Sequence, residues 1–273
     1  MKRYRGIPIR YQADPEPLGP LLAERFVALP PDDATRSWID DAFERPNRGM
    51  ALAARAVART FLSDYDANAL TGTHDMRVVG SEQLRWLLRA AELGAGGRLL
   101  DVGAGDGNVT RELAPLFDHV ATTEVSRGMA KRLRERGYTC HEVDLVEQPL
   151  EVDEPYQAIA LLNVIDRTSH PISLLEAIPP LMAPGGWLLI AVPLPLQPHV
   201  HVGPATVDPE EMLPADRSSW EAAARELERA LLRPLGYDVR ALARTPYLCR
   251  GGSRRPVVQL DDALFLCTRA VSG

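Results

Sequence analysis

The residues Asp101-Val102-Gly103-Ala104-Gly105-Asp106-Gly107 set three glycines at alternate positions behind an acid. Glycine is needed where a backbone turns sharply or where a ligand lies against main-chain atoms. A helix that begins just after such a turn offers free N–H groups and the positive end of its dipole. Dinucleotide sites space their glycines as GxGxxG, and a pyrophosphate tolerates no neighbouring carboxylate. The spacing here is GxGxG and Asp101 precedes it, which suits a ligand that carries positive charge. Glu124 closes the next apolar run (HVATTEV), and Asp144 the one after (CHEVDLV). Asn163 and Asp166 close a fourth (LLNVIDR). Acids at the ends of three consecutive apolar runs speak for a ligand site rather than a lone helix cap.

Those residues need a framework that brings run ends together. Short apolar strands are expected at Arg98–Val102, His119–Val125, Tyr138–Val143, Tyr156–Val164 and Trp187–Val192. Helices are expected between them at about Asn108–Leu116, Arg127–Arg136 and Pro171–Met182, with Ala183–Gly186 as a tight turn. A helix at Ser219–Leu232 precedes two late strands, Tyr237–Ala243 and Ala263–Thr268. Strands alternating with helices predict a mostly parallel sheet covered on both faces. In such a sheet the ligand lies beyond the carboxyl ends of the strands, near the point where strand order reverses. Upstream, residues 1–50 hold seven of the 23 prolines and read as an irregular arm with a short helix near Ala34–Phe43. Helices follow at Gly49–Leu62 and at Ser81–Leu93, the second with Ser81 as N-cap and an apolar stripe of Leu84, Leu87 and Leu88. Residues 1–93 are therefore read as an N-terminal arm and helical extension, and 94–273 as the α/β domain.

The glycine turn resembles motif I of class I methyltransferases, which bind S-adenosylmethionine. The fold class that follows is a Rossmann-like α/β domain: a seven-stranded, mostly parallel sheet with helices on both faces and an N-terminal helical extension. S-adenosylmethionine carries an ammonium and a sulfonium, which matches the acid at Asp101. Glu124 stands where such folds hold ribose hydroxyls, and Asp144 near where an adenine amine would lie. At Asp144 a solvated turn residue is an equal alternative. LDVGAGDGNVT, ATTEVS, LLNVIDR, LPLPLQPHV and RTPYLC, in this order and spacing, closely resemble the DREV family over about residues 59–268.

That resemblance implies methyl transfer to the pros nitrogen of a histidine in a protein or peptide, typically within a His-x-His motif after a small residue. It puts Asp101, Gly103 and Gly105 in the cofactor turn and Glu124 on the ribose. It puts Asn163 and Asp166 at the acceptor site, Asn163 also bordering the cofactor, and Tyr247 near the site from a TPYLC loop. In this reading Asp166 accepts the tele N–H of the imidazole and leaves the pros lone pair free. Asn163 orients the ring or peptide, and Tyr247 walls the pocket. Each has a plainer alternative: a helix N-cap for Asp166 ahead of Pro171, and a core aromatic for Tyr247. His199-Val200-His201 has no third metal ligand in sequence, and no metal is expected. The pair also looks like the family's own substrate motif.

Composition bounds the partners. Lys plus Arg number 31 and Asp plus Glu 37 in 273 residues, a formal net charge of −6. A mildly acidic chain lacks the general attraction of a nucleic-acid binder, and Arg240, Arg244, Arg250 and Arg254 read as a solvated face. No apolar run reaches the ~18 residues of a membrane helix, and MKRYRGIPIRYQ has no hydrophobic segment of a secretion signal. A soluble, cytoplasmic enzyme without nucleic-acid or membrane partners is expected. Cys140, Cys249 and Cys267 are too widely spaced for a disulfide framework. Two other functions fit the same residues: a small-molecule N- or O-methyltransferase, and a non-catalytic cofactor-binding module.

Overall fold

The computed structural model describes residues 2–73 and 75–270. The strands β1 (Lys2–Tyr4) and β2 (Ile7–Ile9) pair as a hairpin. Helices α1 (Pro15–Glu24), α2 (Asp33–Glu44), α3 (Gly49–Ala58) and α4 (Asp64–Thr71) follow, then a two-residue strand β3 (Met76–Arg77) and α5 (Ser81–Ala90). The alternating part is β4 (Arg98–Val102), α6 (Thr110–Leu113), β5 (His119–Thr123), α7 (Arg127–Glu135), β6 (Thr139–His141), β7 (Tyr156–Leu162), α8 (Pro171–Ala177) and β8 (Met182–Pro193). A small hairpin of β9 (Val200–Val202) and β10 (Ala205–Val207), helix α9 (Trp220–Leu227) and the long hairpin β11 (Tyr237–Arg250) and β12 (Val257–Arg269) complete it.

One sheet carries the site, in the order β3-β11-β12-β8-β7-β4-β5-β6. Strands β8, β7, β4, β5 and β6 run parallel, and β12 is antiparallel to β8. The sheet is thus the expected Rossmann-like one, with an eighth, two-residue strand added at its edge by the N-terminal extension. The order reverses between β4 and β7, so the crevice opens beyond Val102 and Leu162. Alternation along the strands feeds two cores. Ile159, Leu161, Ile190 and Phe265 pack with Leu18 and Leu22 of α1 and with Trp220 and Leu227 of α9. On the other face Leu99, Leu189 and Leu264 meet Leu84, Leu87 and Leu88, the predicted stripe of α5.

Three readings are corrected. The proline-rich first 50 residues are mostly ordered: Asp14 and Asp32 cap α1 and α2, and prolines in the first turn of α1 occupy positions whose N–H has no helical partner. Gly80, not Ser81, is the N-cap of α5, and Ser81 Oγ instead donates to the Glu112 carbonyl at 2.8 Å. The two late strands are twice as long as expected, 14 and 13 residues. Pro246 fooled the sequence pattern, because proline usually ends a strand.

Candidate active site

The glycine turn leaves β4 with Gly103, Gly105 and Gly107 all at positive φ, +67°, +59° and +78°. At Gly103 a Cβ would sit 2.9 Å from Val164 Cγ2, so the cofactor turn and the turn after β7 touch there. At Gly105 a Cβ would meet nothing within 4 Å. The backbone there borders open space, which is where a ligand can approach it.

Asp101 is buried at the end of β4 and accepts from Thr110 Oγ1 at 2.6 Å. Burial, and the Glu124 charge in a lesser part, push its carboxyl up to about 7. Glu124, also buried, latches the turn to β5: its oxygens accept from the Gly105 N–H at 2.9 Å and the Ser126 N–H at 2.8 Å. Burial raises its carboxyl too, against the pull of those N–H groups. Helix α4 closes this end. Ser126 Oγ donates to Asp66 Oδ1 at 2.6 Å, and a Cβ at Gly128 would lie 2.7 Å from the Ala69 side chain. Asp144 stands apart, exposed, with Oδ1 accepting from the Val146 N–H at 2.9 Å, a turn cap.

The turn after β7 is tight. Asn163 takes a left-handed conformation (φ +59°) that asparagine tolerates better than other side-chain-bearing residues. Its N–H is fixed to the Ala191 carbonyl at 2.9 Å. Asp166 is 3% exposed and caps no helix; α8 starts at Pro171 with His170 at its cap. Asp166 Oδ2 is 3.5 Å from Arg167 Nε, while Oδ1 is buried with no hydrogen-bond partner, as is Asn163 Oδ1. Tyr247 lies within β11, not on a loop, and is almost wholly buried. Arg167 lies over its ring at 5.4 Å and donates to its hydroxyl at 3.2 Å. Burial pushes that phenol well above its ordinary range.

Asp262 escaped the sequence reading, which began the last strand one residue later. It is fully buried on β12, opposite Thr245 and Pro193, with neither carboxylate oxygen hydrogen-bonded. The signal was available: Asp262, Leu264 and Leu266 share one face, so an acid interrupts a core-facing row. The predicted arginine face is corrected in part: Arg240 and Arg254 are exposed as expected, and the other two are not. Arg244 is buried against Glu221 and Asp261, and Arg250 ties Asp41 to Asp75. The Nδ1 atoms of His199 and His201 face the Gln197 carbonyl and the Thr206 hydroxyl, each at 3.1 Å. Among the described residues no group of three His, Cys, Asp or Glu could hold a metal, no helix is long and apolar enough to cross a membrane, and the three cysteines are unpaired.

A glycine turn at the switch point, with carboxylates on both sides of it, defines a Rossmann-like methyltransferase site, and residues 10–269 match the DREV methyltransferase family. The chain belongs to that family. S-adenosylmethionine fits the turn: Gly105 leaves room against its backbone, and Asp101 and Glu124 supply carboxylates for a cationic, hydroxyl-bearing molecule. Among curated proteins, a ubiquinone biosynthesis O-methyltransferase of Paraburkholderia phytofirmans is 29% identical over 46% of this chain and 56% of its own length. An rRNA methyltransferase of Streptomyces thermotolerans is 43% identical over 34% of each chain. The chain spans about half the length of the curated relatives it matches. Among solved structures, the N-methyltransferase NodS of Bradyrhizobium japonicum with S-adenosyl-L-homocysteine aligns over 70% of this chain and 87% of its own, at 16% identity and a TM-score of 0.41.

Proposed function

We propose that the protein transfers a methyl group from S-adenosylmethionine to the pros nitrogen of histidine in a protein or peptide. The observation that carries this reading is the pair of buried acceptor atoms without donors, Asn163 Oδ1 and Asp166 Oδ1, one turn from the cofactor loop. Buried acceptors demand a donor. A neutral imidazole brings one N–H for such an acceptor and keeps one lone pair for the methyl group.

Bound in the turn, S-adenosylmethionine supplies an electrophilic methyl group. The chain's residues select and aim the nucleophile. Asp166 accepts the tele N–H, which fixes the tautomer with the pros lone pair free, and it stabilises the cation as charge develops on the ring. Asn163, rigid in its left-handed turn, accepts from the peptide or orients the ring. Tyr247 and Arg167 wall the pocket and keep water from it. Holding the two reactants about 3 Å apart supplies much of the rate.

The test is methyl transfer from labelled cofactor to peptides with alternating histidines, with tandem mass spectrometry locating the modified atom. Label on the imidazole pros nitrogen is expected. Label only on small phenols or RNA, the acceptors that the relatives' names suggest, would overturn the reading. Intact mass of the enzyme after incubation with cofactor alone should stay constant, since the pros nitrogens of His199 and His201 already face the Gln197 carbonyl and the Thr206 hydroxyl.

A further inference from the structure

The Asp262 carboxyl is unaccounted for by that mechanism. It lies between the core and the acceptor turn, on the face it shares with Leu264 and Leu266, and the Asn163 amide is set against it. Two other buried oxygens nearby, Asn163 Oδ1 and Asp166 Oδ1, also lack donors. The cluster is therefore rich in acceptors and poor in hydrogens. Arg167 is a cation that reaches it, with Arg55 acting further along on Cys249, and the Arg167 guanidinium is shared with Asp166 and the Tyr247 hydroxyl.

We propose that Asp262 is a positioning residue of the acceptor site, held as the neutral acid and donating its O–H to the Asp166 carboxylate. One proton then adds a donor to the cluster without filling the acceptor capacity left for the substrate. A carboxylate offers about four lone pairs. Arg167 takes one on Asp166, Asp262 a second, and the rest remain for the incoming N–H.

The physical reason lies in the charge of the site. With both carboxyls ionised, Asp166 and Asp262 outweigh Arg167 and the pocket favours imidazolium, which has no lone pair to offer. With Asp262 neutral, Asp166 and Arg167 balance, and the neutral, nucleophilic ring is admitted. The surroundings agree. Asp262 is walled by Thr245 and Pro193 on the adjoining strands, with Tyr247 and Cys249 further along β11. Asp261, its neighbour on β12, points the other way to Arg244. Burial drives the Asp262 carboxyl well above the ordinary range and the Asp166 charge adds to this, against the pull of the Asn163 amide and, less strongly than Asp166, of Arg167.

The inference rests on the acceptor entering beside Asp166, and its first test needs no acceptor. With carboxyl-13C-labelled aspartate, the resonance absent from D262N should hold the position of a protonated acid through neutral pH in the full-length enzyme. A carboxylate position at pH 7 overturns the proposal, whatever the substrate proves to be. The histidine reading fails separately, if no imidazole is methylated while that resonance stays protonated. In turnover, Asp262→Leu removes the donor and should lower kcat about tenfold. Asp262→Asn keeps an N–H donor without charge and should restore most of it, with the acid limb of the kcat profile where the wild type has it. An Asn variant as impaired as the Leu variant, or an acid limb displaced to lower pH, would mean that Asp262 acts as an anion. Should the Leu variant fail to fold, the resonance and the Asn profile decide.

Discussion

Asp101 has two opposed roles, and the opposition is measurable. Its carboxyl is raised to about 7 in the folded protein, against an ordinary value of about 4. The folded state therefore keeps a proton that the unfolded chain releases. Stability is lost as pH rises from about 4, and the loss levels off above about 7. Asp101→Asn should stabilise the cofactor-free enzyme by an amount that grows over that window to about 4 kcal/mol, read by thermal melts across pH. The same variant should bind S-adenosylhomocysteine more weakly by calorimetry. In the wild type, affinity should fall below pH 7, where the carboxyl must first give up its proton to meet the ligand's ammonium. Asp166→Asn should behave otherwise: cofactor affinity retained, kcat down about a hundredfold. Near-normal turnover in that variant would remove Asp166 from the mechanism.

The glycine turn makes its own predictions, because the same backbone conformation serves two purposes. Gly103 and Gly105 both sit at positive φ, where a side chain costs about 1–2 kcal/mol. At Gly103 the added methyl also strikes Val164, so Gly103→Ala should lower stability by a further ~1–3 kcal/mol and disturb the acceptor turn. At Gly105 the space is open, so Gly105→Ala should cost the conformational term alone while weakening S-adenosylhomocysteine about tenfold or more. Equal affinity in both variants would show that the cofactor does not lie against Gly105. The long hairpin works as a second such element. Its length keeps Tyr247 and Asp262 inside the sheet, Asp262 opposite Pro193 of β8 and Tyr247 opposite Leu260.

Across the whole molecule, buried arginines fasten the N-terminal segments to the sheet. Arg77 is 4% exposed and binds Asp32 at the cap of α2, Thr35 within it and Glu112 at the end of α6. Half-buried Arg250 does the same for the segment around Asp41 and Asp75, and buried Arg244 ties β11 to α9. Breaking such a pair leaves an uncompensated buried charge. Arg77→Leu should therefore destabilise by ~3–5 kcal/mol, seen in chemical denaturation, although it touches no part of the site. A change below 1 kcal/mol would mean that the extension is held by its apolar contacts alone.

What could be read along the chain was whatever depends on local spacing. The apolar runs fix the parallel strands. The glycines fix the turn, because few other residues hold positive φ. The acids at strand ends fix the side of the sheet on which ligands gather. Folding alone decided which groups meet across distant segments. Asp262 is buried in the sheet only because β12 inserts antiparallel beside β8, Arg250 is tied down only because the first 75 residues wrap back over β11, and Arg244 only because α9 and β12 close on it. Burial and charge pairing are properties of neighbours in space, and a linear pattern does not carry them.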